Sequence, residues 1–520
     1  MAECQGVTLE EASIDTIQWY LSSGKLTSRQ LVECYLQRVQ QLNPHIATFI
    51  EENPDALSIA DSLDAERKAG NVRGPLHGIP ILVKDNIGTA DRLNTTAGSY
   101  ALLGSVVPRD AHVIALLRKA GAIILGKGNM SEWADIRANS YSEGWSARGG
   151  QVRNCYNLTQ DPGGSSSGPA HAVSANMVTV AIGTETDGSV IAPAQRAGIV
   201  GIKPTVGLTS RSMVVPEAHS QDTVGAFGKT FKDAAYVLSA MAGPDPNDTA
   251  TLSQPSPLPN YARFVSDKSA LKGVRIGIPW KRVWQSSTTY NQYPQLLSAI
   301  AELKKAGAII VNNTNLPTIE EITPYPSGWN WQFKNQLGLD NQSEFTVVCY
   351  EFKRQLNEYL AGLVSSPVRT LSDVIAFNIA DKAVEMEYFG QDVLIQCDGD
   401  PYNETTYQEA LDYVHRTTRE EGIDAALKMY NVSALLVPSD NFSPSTEIPA
   451  MAGYPMVTIP AGIDAWGVAF GIGLWGTAYS EPTLIKLGSA IDDTLRRRRL
   501  PTFYDADATN IPINYEIGAY

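Results

Sequence analysis

An α/β fold, with a largely parallel, mixed central sheet surrounded by helices, is predicted by three observations. Short apolar runs alternate with helical patterns from about residue 75 onward. Residues 274–278, 296–305 and 308–311 read in order as strand, helix and strand. Two apolar runs, 79–83 and 178–182, abut glycines at 78 and 183, as buried strands bounded by turns do.

Each element follows from its own residues. Residues 1–70 read as a helical region. Thr8 with Glu11, and Thr27 with Gln30, suit capping boxes. After Thr27, the residues Leu31, Cys34, Tyr35, Val39 and Leu42 recur at helical spacing, and Asn43-Pro44 is the expected stop. The sequence leaves open whether these helices pack on the core or on a second copy in a homodimer. Residues 79–83 are too few for a helix. Asp110 suits the cap of a helix carrying Val113, Ile114, Leu116 and Leu117; Gly121 stops it, and 122–125 is the next strand. Residues 434–438 form a late strand. No internal repeat or low-complexity linker interrupts the chain, so residues 1–520 read as a single domain. Residues 244–440 are its least patterned part. They hold Tyr325, Trp329, Trp331 and Phe333, which read first as core and loop aromatics.

Bulk properties exclude several classes. The net charge of -14 argues against nucleic acid, whose phosphates need a basic face. No stretch has the apolar length of a membrane span. The one dense basic run, Arg496 to Arg499, reads as a solvated helix C-terminus. The five cysteines are odd in number and scattered, so free buried thiols are expected, in a reducing compartment such as the cytoplasm. The first residues lack a basic and an apolar region, so no signal peptide is evident. Sequons such as Asn94-Thr95-Thr96 and Asn157-Leu158-Thr159 carry no meaning without secretion. The six histidines show no H-x-x-x-H pair and no clustering with cysteine, so no metal site is expected.

The chemistry concentrates in three segments. Residues 78–86 place Lys84 at the end of an apolar run. Residues 162–168 place Ser165 after Gly163 and Gly164. Residues 183–189 place Ser189 after Gly188 on a loop leaving a buried strand. A serine is a weak nucleophile and needs a base. A free lysine, with a pKa of about 10.4, is protonated at neutral pH. Burial behind Ile81, Leu82 and Val83 disfavours the charge and lowers that value. An ion pair with Asp85 is not favoured, because adjacent strand residues point to opposite faces. A hydroxyl both donates and accepts, as a proton relay requires. The pattern therefore suggests a nucleophile activated without histidine. Gly164 to Gly168 also fits G-x-S-x-G, but residues 156–162 before it read as loop, and the late histidine such a hydrolase needs would be His415, inside a helical stretch.

Together with residues 452–462 and 478–484, these segments resemble the amidase signature family over most of the chain. The resemblance implies the amidase signature fold and hydrolysis of a small-molecule amide, with no metal or organic cofactor. It makes Ser189 the nucleophile and Lys84 the base. Ser165 becomes the relay, on a cis peptide after Gly164. The amides of Thr186, Asp187 and Gly188 become the oxyanion hole. Within residues 126–134, Met130 and Ala134 are expected on the acyl-pocket wall. Family members vary most over a stretch like 244–440, so substrate choice is expected there. Departures exist. Many members have Asp for Glu185, Gly for Asp187 and Gly for Ser167. Many also carry an Arg just after the nucleophile, where this chain has Val190, Ile191 and Ala192. Two other outcomes stay open on the same scaffold: transfer of the acyl group to an amine, and an inactive binding protein. The intact Lys84, Ser165 and Ser189 oppose the latter.

Overall fold

Eleven strands form one mixed sheet in the computed structural model, which describes residues 3–323, 339–439 and 444–504. In chain order the strands are Phe49–Glu52 (β1), Pro80–Lys84 (β2), Ile123–Gly128 (β3), Val180–Glu185 (β4), Val200–Lys203 (β5), Thr223–Gly228 (β6), Arg275–Ile278 (β7), Ile309–Asn312 (β8), Ala434–Pro438 (β9), Met456–Ile463 (β10) and Ala469–Trp475 (β11). Across the sheet they run β8-β7-β9-β11-β10-β5-β6-β4-β2-β3-β1. Every residue of β2 and β4 is buried, which explains why both read as unbroken apolar runs.

The sheet is less parallel than the sequence suggests. Only four of its ten strand pairings are parallel. Alternation of strand and helix reports crossover units, and those are parallel here: β2 with β3 and β4, and β7 with β8 and β9. Antiparallel pairing joins the two sets. β10 and β11 form a hairpin whose central residues are buried, so no alternation in sequence betrays it.

The N-terminal helices, Ile14–Ser22 and Ser28–Ile46, pack on the core through Ile14, Ile17, Leu21, Leu31, Val32 and Tyr35. Thr27 and Gln30 make the expected capping box. Thr8 makes none. It pairs with Glu3 in a short hairpin, and Ser13 caps the first helix. The second helix runs past Pro44 and closes at Ala47 in the left-handed region. Asp110 is no cap either. Its carboxylate accepts from the Ala90 N–H and pairs with Arg118, while Ala111 precedes the helix His112–Lys119.

The arginine run does follow a helix C-terminus, Glu481–Leu495, yet it is only partly solvated. Arg497 pairs with Glu302 and Arg498 with Glu11, tying the C-terminal segment to distant elements. A larger correction concerns cysteine. Cys4 is bonded to Cys34 and Cys349 to Cys397, leaving only Cys155 free. The partners stand 30 and 48 residues apart in sequence, and only the fold brings their Cα atoms to 5.7 and 5.1 Å. The expectation of a cytoplasmic setting thereby loses the premise it rested on.

Two apolar clusters organise the interior. The first surrounds most of the sheet. In the second, the helices Glu344–Gly362, Leu371–Ala380 and Asp392–Asp398 pack against Met130, Trp133 and Ile136. No helix among the described residues is long and apolar enough to cross a membrane. Tyr325, Trp329, Trp331 and Phe333 lie outside the described residues.

Candidate active site

Parallel register aligns β2 with β4, pairing Ile81 with Val180, Leu82 with Ala181 and Val83 with Ile182. The C-terminal ends of both strands therefore meet at one edge, where Lys84 ends β2 and Thr184 stands one residue before the end of β4. The Lys84 ammonium lies 2.9 Å from Thr184 Oγ1 and 3.2 Å from the Thr184 carbonyl. Its third contact is Ser165 Oγ at 2.7 Å. Ser165 Oγ lies in turn 2.9 Å from Ser189 Oγ. An unbroken line of hydrogen bonds thus runs from amine to hydroxyl to hydroxyl. Lys84 and Ser165 are fully buried, and Ser189 is 3% exposed.

The loop that carries Ser165 is held from several sides. The Gly164–Ser165 peptide is cis. Ser131 N–H donates to the Ser165 carbonyl at 3.1 Å, and Ser166 N–H to the Ser189 carbonyl at 3.2 Å. Ser166 Oγ donates to the Thr184 carbonyl at 3.0 Å. A Cβ on Gly164 would stand 1.8 Å from Glu143 Oε2 and 2.5 Å from Ser131 Oγ, so a side chain here would have to displace both. The loop carrying Ser189 turns at Gly188, whose φ of 77° is a left-handed value suited to glycine. Beyond it, Glu185 Oε2 accepts from the Val190 and Ile191 N–H groups at 2.7 and 2.9 Å. That contact satisfies the open N-terminus of the helix Ile191–Arg196 immediately after Ser189.

Electrostatics follows from burial. Desolvation lowers the Lys84 pKa to about 8, against the pull of Asp135, Glu217, Asp222 and Glu185. Burial also pushes Asp135 and Asp222 up to about 6. Asp187 rises well above the usual carboxylate range, through burial first and then the nearby Glu344 and Glu185. That shift disfavours the charge that would repel a neighbouring anion, which eases the departure from glycine at this position. Among the described residues, no protein acceptor takes the amides of Thr186 and Asp187. The Gly188 amide differs, since it hydrogen-bonds Glu185 and partly opposes the rise that burial gives that carboxyl.

Asp85 does not pair with Lys84. It accepts from Gly98 N–H at 3.0 Å and from the Thr96 hydroxyl, supporting the local turn. Met130 is fully buried in the second apolar cluster, whereas Ala134 is half-buried with a φ of 58°. Sequence reasoning missed Thr184, Asn86 and Glu143. Asn86 Nδ2 donates to Thr184 Oγ1 at 2.9 Å, and Ser131 Oγ donates to Glu143 at 3.2 Å. Thr184 was findable, because it lies inside the 183–189 segment; Glu143 carries no local signal. Among the described residues, no group of three or more His, Cys, Asp or Glu could hold a metal ion.

The family model described as Amidase matches residues 30–387. The chain belongs to the amidase family. A Schizosaccharomyces pombe protein named as a putative amidase is 46% identical, over 99% of this chain and 90% of its own length. The solved structure of native peptide amidase from Stenotrophomonas maltophilia superposes with a TM-score of 0.85 at 40% identity, covering 95% of this chain and 99% of the other. A glutamyl-tRNA(Gln) amidotransferase component from Microcystis aeruginosa is 30% identical, over 94% of this chain and 99% of its own. The fold is the amidase signature fold, and this amidase is a hydrolase of amide C–N bonds.

Proposed function

We propose that this amidase works through Ser189 as nucleophile, Ser165 as relay and Lys84 as base. The observation that carries the reading is the line of 2.7 and 2.9 Å contacts from Lys84 Nζ through Ser165 Oγ to Ser189 Oγ. A neutral lysine accepts the Ser165 proton, Ser165 takes the Ser189 proton, and Ser189 Oγ attacks the amide carbon. In this reading the amides of Thr186 and Asp187 serve the developing oxyanion, while the Gly188 amide is engaged with Glu185; such preorganised donors often supply the largest single stabilisation. Collapse expels the amine, which leaves with the proton held by Lys84. Water then enters along the same line and releases the acid from the acyl-enzyme.

Substrate choice is assigned to residues 244–440, and Met130 and Ala134 to the acyl-pocket wall. The helix Glu344–Gly362 packs in the same apolar cluster as Met130, which supports a shared role. The likeness to a peptide amidase supports peptide amides as the first substrates to test. Transfer of the acyl group to an amine is the second reading, favoured by the likeness to an amidotransferase component. Turnover of a peptide amide in ¹⁸O-water tests both. Label in the acid supports hydrolysis, and a new amide without label supports transfer. Ser189→Ala is expected to abolish either; near-normal turnover in that variant overturns the mechanism.

A further inference from the structure

Asparagine sequons and disulfides are independent features of this chain, and the fold gives both the same meaning. Cys349 and Cys397 are each 1% exposed and sit inside the second apolar cluster. Cys4, also buried, ties the N-terminal hairpin to the helix Ser28–Ile46 through Cys34. Bonds of this kind persist in oxidising compartments and are rare where glutathione keeps thiols reduced.

Oxidation of that kind changes what the sequons mean. An acceptor asparagine needs its Nδ2 at the surface, because the sugar attached there must reach solvent. The described sequons divide on this point. Asn129 and Asn157 are buried; Asn129 donates through Nδ2 to the Ala47 and Gly150 carbonyls, and Asn157 to the Trp466 carbonyl at 2.9 Å. Asn94, Asn247 and Asn341 spend Nδ2 on Glu51, Asp245 and Glu409. Asn312, Asn403 and Asn431 are exposed, and among the described residues nothing accepts from their Nδ2 atoms. Asn403 caps the helix Glu404–Thr418 through Oδ1, which an attached sugar leaves in place. Asn431 sits at a left-handed helix end, and Asn312 ends the edge strand β8.

We propose that this chain matures where thiols are oxidised and asparagines are glycosylated, and that Asn312, Asn403 and Asn431 are its N-glycan sites. In forming each disulfide, two cysteine thiols pass two electrons and two protons to the disulfide of a thiol–disulfide oxidoreductase, which becomes a dithiol. In glycosylation, Nδ2 bonds to the anomeric carbon of a lipid-pyrophosphate-linked oligosaccharide. The anomeric C–O bond breaks, the lipid pyrophosphate leaves, and one Nδ2 proton goes to a base of the transferase.

The test uses the full-length protein purified from the organism that makes it. One sample is denatured without reductant and alkylated with iodoacetamide. A second is deglycosylated by peptide N-glycosidase in ¹⁸O-water, which leaves a labelled aspartate at each former glycan site. Peptide mass spectrometry is expected to find alkylation at Cys155 alone, label at one or more of Asn312, Asn403 and Asn431, and none at Asn157. Alkylation of the other four cysteines overturns the proposal. So does absence of label at all three exposed sites, or label at the buried Asn157. Amidase activity enters none of these readouts, so the mechanism above stands or falls separately.

Discussion

Two buried lysines on neighbouring strands make an instructive pair. Lys84 ends β2 and Lys127 lies in β3; both are fully buried, and burial lowers both pKa values to about 8. Their partners differ. Lys127 donates to the Ile87 carbonyl and to Thr95 Oγ1, and Asp85 is the foremost charge opposing its loss of the proton. Those contacts brace the turn after β2 and lead nowhere. Lys84 instead meets Ser165, and Ser165 meets Ser189. A perturbed pKa therefore does not mark a base by itself. What separates the two pockets is a second hydroxyl at the far end of the contact.

The largest loss is expected at the far end of the Lys84 line. Ser189→Ala is expected to cut kcat by about 10⁴-fold or more, because no other group replaces the nucleophile. Single-turnover kinetics on a peptide amide checks this. Next comes the lysine pair itself. Lys84→Ala is expected to lower kcat by about 10³-fold at every pH, since added hydroxide does not substitute for a positioned base. Lys127→Met should leave kcat per folded molecule within about threefold and instead cost roughly 1–3 kcal/mol of stability, from acceptors left unpaired. If both variants lose activity in proportion to unfolding, the distinction between the pockets fails.

The pH profile sharpens the same contrast. Only the neutral Lys84 accepts a proton, so kcat/KM should fall about tenfold per unit as pH drops below the Lys84 pKa near 8, and level off above it. A profile flat from pH 6 to 9 would contradict that assignment. The smallest effect is expected at Asp187. Its carboxyl is pushed well above the usual carboxylate range by burial and by the nearby Glu344 and Glu185, so Asp187→Asn should change kcat/KM by less than about threefold at pH 7. A large gain in rate would mean that the native carboxylate is charged and opposes the oxyanion.

The sites differ in how far they could be read from sequence. Lys84, Ser165 and Ser189 announce themselves locally, because a strand-end lysine and two glycine-flanked serines need special backbone. Thr184 was within reach for the same reason. Glu143 was not: it reaches the site through a hydrogen bond from Ser131 and the field of Lys84, both set by the fold. The cysteine pairs failed for an allied reason, since spacing in sequence says nothing about Cα separation in space. The excess of antiparallel pairing escaped because β10 and β11 are mostly buried and show no polar alternation.

By itself, then, the sequence determined where most strands and helices lie and which side chains are candidates for the chemistry, because periodicity, glycine placement and side-chain chemistry are short-range properties. Tertiary structure decided which groups touch. Strand register set Lys84 beside Thr184, packing desolvated its amine, and long-range closure paired the cysteines, since each depends on residues brought together only when the chain folds.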